Sequence, residues 1–249
     1  DSIMELLICI DALRRASAKS ITAVLPYFAY ARQDRKVSPR SPISAKLFAN
    51  LLMGSGASRV LTMDLHANQI QGFFDIPVDN LFAAPTFVQH IKKNIKSKNI
   101  VCVAPDVGGV ERARAIGKRL SADLAIIDKR RSGPGKSEVM NVIGDVKNKI
   151  CVIFDDLVDS GGTIVNAASA LKKKGARDVY AYVVHGVFTG EAVKKINNSK
   201  IKKFVISNSI LNIKKIKKSK KFQVISVGTL FAEAIKRISI SKSVSKLFK

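Results

Sequence analysis

Short apolar runs alternate along this chain with stretches whose apolar residues recur every three or four positions. The runs are rich in Val and Ile and are bounded by turn residues, and they predict eight strands, at residues 21–26, 59–63, 100–104, 124–127, 149–154, 179–184, 203–207 and 222–227. The periodic stretches predict seven helices, at residues 3–18, 44–53, 84–96, 109–120, 163–174, 190–197 and 230–239. Because strands that alternate with helices are typical of βαβ units, the pattern predicts an α/β fold with mainly parallel sheets and flanking helices.

Eight strands are more than one small sheet needs, so we expect two domains. A turn-rich stretch at residues 79–85 precedes a new helix and marks the boundary. This predicts a first α/β domain at residues 1–83, a second at residues 84–228, and a C-terminal helix and tail at residues 229–249 that packs on the first domain. The chain begins inside an amphipathic helix, and we therefore expect the first domain to lack its start.

Composition changes this picture little. The 249 residues are 47% hydrophobic and 25% charged, which is near the average of globular proteins and argues against disorder. The longest apolar run near the start, residues 3–10, is interrupted by one acidic residue, and it is too short for a signal peptide or a membrane span. We therefore expect a cytoplasmic protein with no membrane segment. Cys9, Cys102 and Cys151 lie in apolar runs and are predicted to be buried structural thiols.

The net charge of +24 is unusually high, and it suggests a protein that binds nucleic acid. Residues 191–249 contain 16 basic and two acidic side chains, so +14 of the charge lies in this last part of the chain. Its lysines alternate with Ile and Asn rather than with aromatic residues, which leaves no surface on which bases could stack. We expect a solvated basic face, with attraction to polyanions, including phosphorylated substrates, as the alternative. Nucleic acid is not expected as a partner.

The sharpest local signal is the segment at residues 151–163, which reads C-V-I-F-D-D-L-V-D-S-G-G-T. An apolar strand here leads into an acidic loop and then into a helix. The carboxylates of Asp155 and Asp156 are thereby predicted to lie at the carboxyl edge of the sheet, where open α/β sheets bind ligands. Asp159 follows, and the next four residues open the helix: Ser160, Gly161, Gly162 and Thr163.

The two halves of this loop call for different ligand groups. Glycines let backbone N–H groups approach a phosphate, and the helix dipole favours its negative charge. Carboxylates cannot hold a phosphate, so hydroxyl groups or a divalent cation are their expected partners. A sugar phosphate would satisfy both halves of the loop. The alternative is a surface turn with acidic helix caps.

This loop resembles the phosphoribosyl diphosphate loop of type I phosphoribosyltransferases and of ribose-phosphate diphosphokinases. Residues 64–80, D-L-H-A-N-Q-I-Q-G-F-F-D-I-P-V-D-N, are similar to the signature stretch of the diphosphokinases, which ordinary phosphoribosyltransferases lack. Four further segments also resemble that family: Y-A-R-Q-D-R-K at 30–36, R-S-P-I-S-A-K-L-F-A-N at 40–50, A-P-D-V-G-G at 104–109 and D-K-R-R at 128–131. The chain is therefore identified as a member of the ribose-phosphate diphosphokinase family.

The resemblance implies two phosphoribosyltransferase-like domains, the first one truncated, and an enzyme that uses ATP and ribose 5-phosphate as substrates. The diphosphoryl group of ATP would pass to the anomeric hydroxyl of the sugar, giving phosphoribosyl diphosphate for nucleotide biosynthesis and AMP. Mg²⁺ is the implied cofactor, and His66 and Asp106 match the family's metal positions. A homo-oligomer, a hexamer in this family, is also implied.

The resemblance assigns roles to further residues. Arg32 and Gln33, with His66, match the ATP-contacting positions. Lys129 and Arg131 are the implied catalytic residues, and they precede a stretch rich in Gly, Ser and Pro that predicts a mobile flap over the transferring group. The implied ribose 5-phosphate contacts are Arg131, Asp155, Asp156, Asp159, Ser160, Gly161, Gly162 and Thr163.

Two histidines stand outside these motifs. His90 lies on a predicted helix and is expected at the surface. His185 ends a predicted strand, where lining the pocket and simple packing are equally good interpretations.

Three other functions remain open at this point. A type I phosphoribosyltransferase acting on a nitrogenous base would release diphosphate without forming AMP. A catalytically silent regulatory subunit of the synthase would need no active-site residues, whereas this chain retains them. A nucleic-acid-binding protein would follow from the charge alone. The family's adenine-contacting residues lie near the start of its chain, and we expect them upstream of Asp1.

Overall fold

The computed structural model describes residues 1–130, 139–211 and 213–248. These residues form two compact units. The first unit consists of Asp1–Phe82 together with Ala234–Lys249, and the second consists of Ala83–Glu233. No helix within the described ranges is long and apolar enough to cross a membrane.

The first unit contains a three-stranded parallel sheet in the order β1-β2-β3. Its elements in chain order are α1 (Ser2–Arg15), β1 (Thr22–Leu25), α2 (Ser44–Ser55), β2 (Arg59–Met63), a 3₁₀ helix (Asn68–Phe73) and β3 (Val78–Leu81). Helix α2 buries one face, because its core residues recur at helical spacing: Ala45, Phe48, Ala49 and Leu52. Phe48 packs against Phe28, with ring centroids 5.0 Å apart.

The second unit contains a seven-stranded sheet in the order β10-β9-β8-β7-β4-β5-β6. Every neighbouring pair is parallel except β5 and β6. The strands are β4 (Ile100–Ala104), β5 (Asp123–Arg130), β6 (Val139–Ile143), β7 (Ile150–Val158), β8 (Asp178–Gly186), β9 (Lys203–Ser207) and β10 (Phe222–Ile225). The helices are α3 (Ala84–Asn94), α4 (Val110–Leu120), α5 (Gly162–Lys173), α6 (Ala192–Asn197) and α7 (Ile213–Ile216), and α8 (Gly228–Ser239) crosses the boundary between the two units in sequence.

The order in which the chain adds strands to the second sheet reverses beside β4. From β4 the chain passes through α4 to β5 on one side, and it later returns to β7 on the other side of β4. The loops that follow β4 and β7 therefore leave the same sheet edge in opposite directions. Such a switch point leaves a crevice outside the carboxyl ends of the strands, where open α/β sheets bind their ligands.

The predicted α/β class is confirmed, and the strands predicted at residues 59–63, 100–104 and 203–207 have the predicted bounds. The turn-rich interpretation of residues 79–85 is partly wrong, because β3 runs through Leu81. Its polar residues have tertiary partners: Asp79 pairs with Arg59 at 2.6 Å, and Asn80 Oδ1 accepts the Leu65 N–H at 3.2 Å. These partners allow a polar sequence to form a strand.

The prediction of three buried thiols is correct for two of them. Cys102 and Cys151 are buried in the second sheet, and burial raises the pKa of each thiol to about 12. Cys9 is exposed. Helix α1 buries Ile10, and the neighbouring Cys9 therefore faces away from the core, since successive helical residues point about 100° apart.

Gly144, directly after β6, has a backbone conformation that other residues rarely adopt, with φ of +109°. A Cβ atom there would lie 2.9 Å from the Leu124 carbonyl oxygen. We therefore expect Gly144→Ala to lower the free energy of unfolding by about 2 kcal/mol, measured by urea denaturation. The matched control is Gly54→Ala in α2, where a Cβ has open space and stability should stay equal or rise slightly. Equal losses in both variants would contradict this account.

Candidate functional site

Two neighbouring carboxylates, those of Asp155 and Asp156, lie near the carboxyl end of β7, one and two residues beyond the predicted end of this strand. The strand was predicted to stop at Phe154, but it continues to Val158 because β8 pairs with it as far as Gly186. Asp156 is 6% exposed, and its carboxylate lies 3.6 Å from Arg112 Nη1 on α4. The Asp156 N–H donates to Asp155 Oδ1 at 3.0 Å. The backbone thus holds both acids at the switch point.

The surroundings of Asp155 disfavour the ionised form of its carboxyl group. Burial raises the pKa of Asp155 well above its ordinary value, and the carboxylates of Asp156 and Asp106 raise it further. Arg112 acts in the opposite direction but does not cancel the shift. A group of acids of this kind is suited to a ligand that donates hydroxyl hydrogen bonds or brings a cation.

The loop after β7 leads into the amino end of α5. Gly161 is buried and has φ of +77°, a left-handed conformation that favours glycine. Helix α5 begins at Gly162, and no described side chain caps its first turn. The backbone N–H groups of that turn point out of the helix and can bind a phosphate, whose charge the helix dipole favours.

Lys129 lies near the end of β5, two strands away from β7. Its Nζ donates to Thr163 Oγ1 at 3.1 Å. The structure therefore brings the predicted catalytic lysine to the first turn of α5, next to the predicted phosphate site. Arg131 and the predicted flap at residues 132–137 lie outside the described residues.

Asp106 lies in the loop that follows β4, and β4 is the strand adjacent to β7. Its Oδ1 accepts the Gly109 N–H at 3.0 Å and so caps the 3₁₀ turn before α4. The described residues contain no group of three or more His, Cys, Asp or Glu side chains arranged to hold a metal ion. Mg²⁺ in phosphate-handling sites takes one or two carboxylates and completes its shell with water and phosphate oxygens. The carboxylate oxygens here, and the pKa of Asp155 that is raised by burial and by the neighbouring carboxylates, fit such an ion.

The predicted ATP segments lie in the first unit, where the structure links them. Arg32 is exposed, and Gln33 is partly buried. Gln33 Nε2 donates to the Pro42 carbonyl at 2.9 Å, so its NH₂ group holds the loop that follows. Gln69 Nε2 donates to Asp34 Oδ2 at 3.1 Å, which joins this loop to the segment that begins at His66.

His66 lies exposed just beyond the end of β2. The chain turns at Asp64, which is 5% exposed and has φ of +42°. The Asp64 N–H donates to the Leu81 carbonyl at 2.9 Å, and the next N–H, of Leu65, donates to Asn80. Two contacts from β3 therefore fix the turn that presents His66.

The two other histidines pack within the second unit. The prediction that His90 lies at the surface is wrong: its ring is partly buried, with Nδ1 2.9 Å from Tyr182 Oη and Nε2 2.9 Å from Gln223 Nε2. Burial, and to a smaller extent Lys93, lowers the pKa of His90. His185 is 3% exposed, and its Nδ1 lies 2.8 Å from Ser209 Oγ, which supports the packing interpretation.

Sequence reasoning missed Arg112, Asn80 and Thr189. Arg112 follows the glycines of residues 104–109 by one helical turn, a position that faces the same sheet edge and could have been considered. Asn80 lies in the D-N pair that was interpreted as a turn. Thr189 lies on a loop, and its hydroxyl hydrogen bond to Asp159 spans 30 positions in sequence, so no local pattern points to it.

The switch point of a parallel sheet, adjacent carboxylates and a glycine-led helix define an α/β protein that can hold a ligand with both hydroxyl and phosphate groups. The comparisons with known proteins agree. The N-terminal domain of ribose phosphate pyrophosphokinase matches residues 1–56, and the phosphoribosyl synthetase-associated domain matches residues 131–249.

Whole-chain relatives carry the same name. Ribose-phosphate pyrophosphokinase of Brucella melitensis is 60% identical over 248 residues, covering 100% of this chain and 80% of that protein. The enzyme of that name from Agrobacterium fabrum is 59% identical with the same coverage. The crystal structure of phosphoribosylpyrophosphate synthetase from Mycobacterium smegmatis is 40% identical, covers 96% of this chain and 78% of that one, and superposes with a TM-score of 0.90. The chain belongs to the ribose-phosphate pyrophosphokinase family, as the resemblance predicted.

The raised pKa of Asp155 makes a prediction about stability. The folded protein holds this proton more tightly than the unfolded chain, so the folded state is destabilised as the pH rises from the ordinary value of 3.8 through the raised pKa. We expect Asp155→Asn, which cannot ionise, to raise the midpoint temperature of unfolding by on the order of 3 °C near neutral pH. The gain should shrink as the pH falls toward the ordinary value.

The measurement is thermal unfolding followed by circular dichroism over this pH range, without Mg²⁺ or substrates. A gain that is the same at every pH would show that ionisation of Asp155 is not its cause.

Proposed function

We propose that this protein transfers the diphosphoryl group of ATP to the anomeric hydroxyl of ribose 5-phosphate, giving phosphoribosyl diphosphate and AMP. The observation that carries the proposal is the hydrogen bond from Lys129 Nζ to Thr163 Oγ1, at 3.1 Å. It joins a cation that can neutralise a transferring group to the loop that fits a sugar phosphate. Membership of the family, established above, favours this reaction over transfer to a base and over a silent subunit.

We call residues 155–163 the sugar-phosphate loop. In this proposal its two halves bind different groups of the sugar phosphate. The carboxylates of Asp155, Asp156 and Asp159 accept hydrogen bonds from ribose hydroxyls. The 5-phosphate lies at the amino end of α5, against the backbone and side chains of residues 160–163. Arg112 supports this arrangement, since its guanidinium lies against the buried Asp156 and offsets part of the negative charge.

Lys129 is the proposed catalytic residue. The ammonium group neutralises negative charge on the transferring diphosphoryl group, and a donor positioned in advance acts most strongly where charge develops. We assign Arg131 the same task as its partner, and a flap over the site would exclude water that could otherwise hydrolyse ATP.

The first unit supplies the proposed ATP contacts. Arg32 contributes a charged fork suited to phosphate oxygens. Gln33 has its NH₂ group committed to the Pro42 carbonyl, so Oε1 is the amide atom that remains for the nucleotide. His66 completes the set, held by the turn at Asp64.

We assign Mg²⁺ as the cofactor, with His66 and Asp106 as the residues that would hold it. When bound, the ion would neutralise charge on the ATP phosphates. The residues of this chain meanwhile bind and orient the two substrates. A cytoplasmic location and assembly as a homo-oligomer, a hexamer, complete the proposal and rest on the family resemblance.

The test of the proposed function is the variant Lys129→Ala. We expect kcat for the formation of AMP to fall by about 10²–10³-fold, because a single donor to developing charge is lost. Binding of ribose 5-phosphate, measured by isothermal titration calorimetry, should change little, because in this proposal residues 160–163, and not the ammonium group of Lys129, hold the 5-phosphate.

The matched control is Lys118→Ala, which removes an exposed lysine at the end of α4 in the same unit and should leave kcat unchanged. Unchanged turnover in Lys129→Ala would remove this residue from the mechanism. Formation of diphosphate rather than AMP by the unmodified protein would overturn the proposed reaction itself.

A further inference from the structure

The segment that follows β8 contacts the sugar-phosphate loop. Thr189 Oγ1 donates a short hydrogen bond to Asp159 Oδ1, and the Thr189 N–H donates to the Asp159 carbonyl at 3.2 Å. One residue thus binds both the side chain and the backbone of Asp159. We call residues 186–190 the β8 turn.

The β8 turn is itself held in place by the backbone of β7. The N–H groups of Val187 and Phe188 both donate to the Val158 carbonyl, at 2.9 and 3.3 Å. The carbonyl that accepts them belongs to the residue immediately before Asp159. These hydrogen bonds therefore hold Thr189 at a fixed position relative to Asp159.

The ring of Phe188 fixes the conformation of the β8 turn. Phe188 has φ of +52°, which is uncommon for a residue other than glycine, and its side chain is 1% exposed. The ring packs edge-on against Phe222, with centroids 5.4 Å apart. Gly186 leaves room for the ring, since a Cβ there would lie 2.6 Å from it. Burial of the ring offsets the cost of the unusual backbone conformation.

A lysine on α7 contacts the backbone of the β8 turn. Lys215 Nζ, on α7, donates to the Phe188 carbonyl at 2.9 Å. The adjacent Lys214 is exposed, and no described residue is within hydrogen-bond or ion-pair distance of its ammonium group. Lys215 and Lys214 are therefore a matched pair: Lys215 contacts the β8 turn, and Lys214 contributes charge without that contact.

We propose that Thr189 is a positioning residue for Asp159 and thereby sets the affinity of the sugar-phosphate loop for ribose 5-phosphate. The inference rests on the proposed function, in which Asp159 contacts the sugar. A carboxylate whose one oxygen is held by Thr189 presents the other in a fixed direction. Without that hydrogen bond one of the contacts that hold the side chain is lost, and more of its ordering must take place when the sugar binds, which costs affinity.

The hydroxyl of Thr189 can be removed without disturbing the fold. The side chain is exposed, so Thr189→Val keeps its shape and buries no unpaired group. Thr189→Ser keeps the hydroxyl and loses only a methyl group. The two variants therefore separate the hydrogen bond from the shape of the residue.

The experiment measures steady-state kinetics and the direct binding of ribose 5-phosphate by isothermal titration calorimetry. We expect Thr189→Val to raise KM and Kd for ribose 5-phosphate about tenfold, since a hydrogen bond to a charged group is lost. KM for ATP should stay within about twofold, because neither Thr189 nor Asp159 is among the proposed nucleotide contacts. Thr189→Ser should restore the affinity for ribose 5-phosphate. A purely structural role would lower the unfolding temperature without this selective loss.

The variant Asp159→Asn distinguishes the two levels of the proposal. If it leaves the affinity for ribose 5-phosphate unchanged, the proposed sugar contact of Asp159 is wrong. If it weakens binding while Thr189→Val does not, the sugar contact stands and the positioning inference is overturned.

The two lysines provide a second matched comparison. Lys215→Met removes the contact to Phe188 and should raise Kd for ribose 5-phosphate in the same direction as Thr189→Val. Lys214→Met removes the same charge without that contact and should leave Kd unchanged. Equal effects of the two would show that general electrostatic attraction, and not the β8 turn, controls the affinity.

Discussion

The parallel pairing of β4 with β7 is the constraint on which the candidate site depends. Its hydrogen bonds align Ile100 with Ile150 and Val103 with Ile153, so the two strands reach the same sheet edge together. Because the chain leaves β4 toward one side and β7 toward the other, the loops diverge and open a crevice between them. Asp106 follows one strand, and Asp155 lies near the end of the other. A register shift would separate these acids and remove the acidic group from this sheet edge.

This arrangement trades stability for function. Burying Asp155 beside Asp156 costs free energy, and the raised pKa of Asp155 shows that Arg112 compensates only in part. A ligand that brings hydroxyl groups or Mg²⁺ would relieve the remaining repulsion. Carboxylates with a pKa raised by burial and by a neighbouring acid are frequent in active sites.

The basic excess in the last part of the chain is used in part to hold loops. Lys221 Nζ donates to the carbonyls of Ile196, Asn197 and Ser199, at 3.1, 2.8 and 2.9 Å, just after α6. Lys215 holds the Phe188 carbonyl in the same way. A lysine that donates to several carbonyls at the end of a helix satisfies groups that the helix leaves unpaired. Some of the charge that suggests a polyanion partner is thus explained by the fold.

The sequence by itself determined the α/β class and most element positions, because apolar periodicity and turn residues act over a few neighbouring residues. It also determined the family, through the resemblance of its motifs. It could not determine β3, whose polar Asp79 and Asn80 need Arg59 and the Leu65 N–H as distant partners. The exposure of Cys9, the partial burial of His90 and the contacts of Arg112 and Thr189 were likewise decided only by the tertiary structure. Each depends on atoms that are far apart in the chain, and a local pattern carries no information about which of them meet.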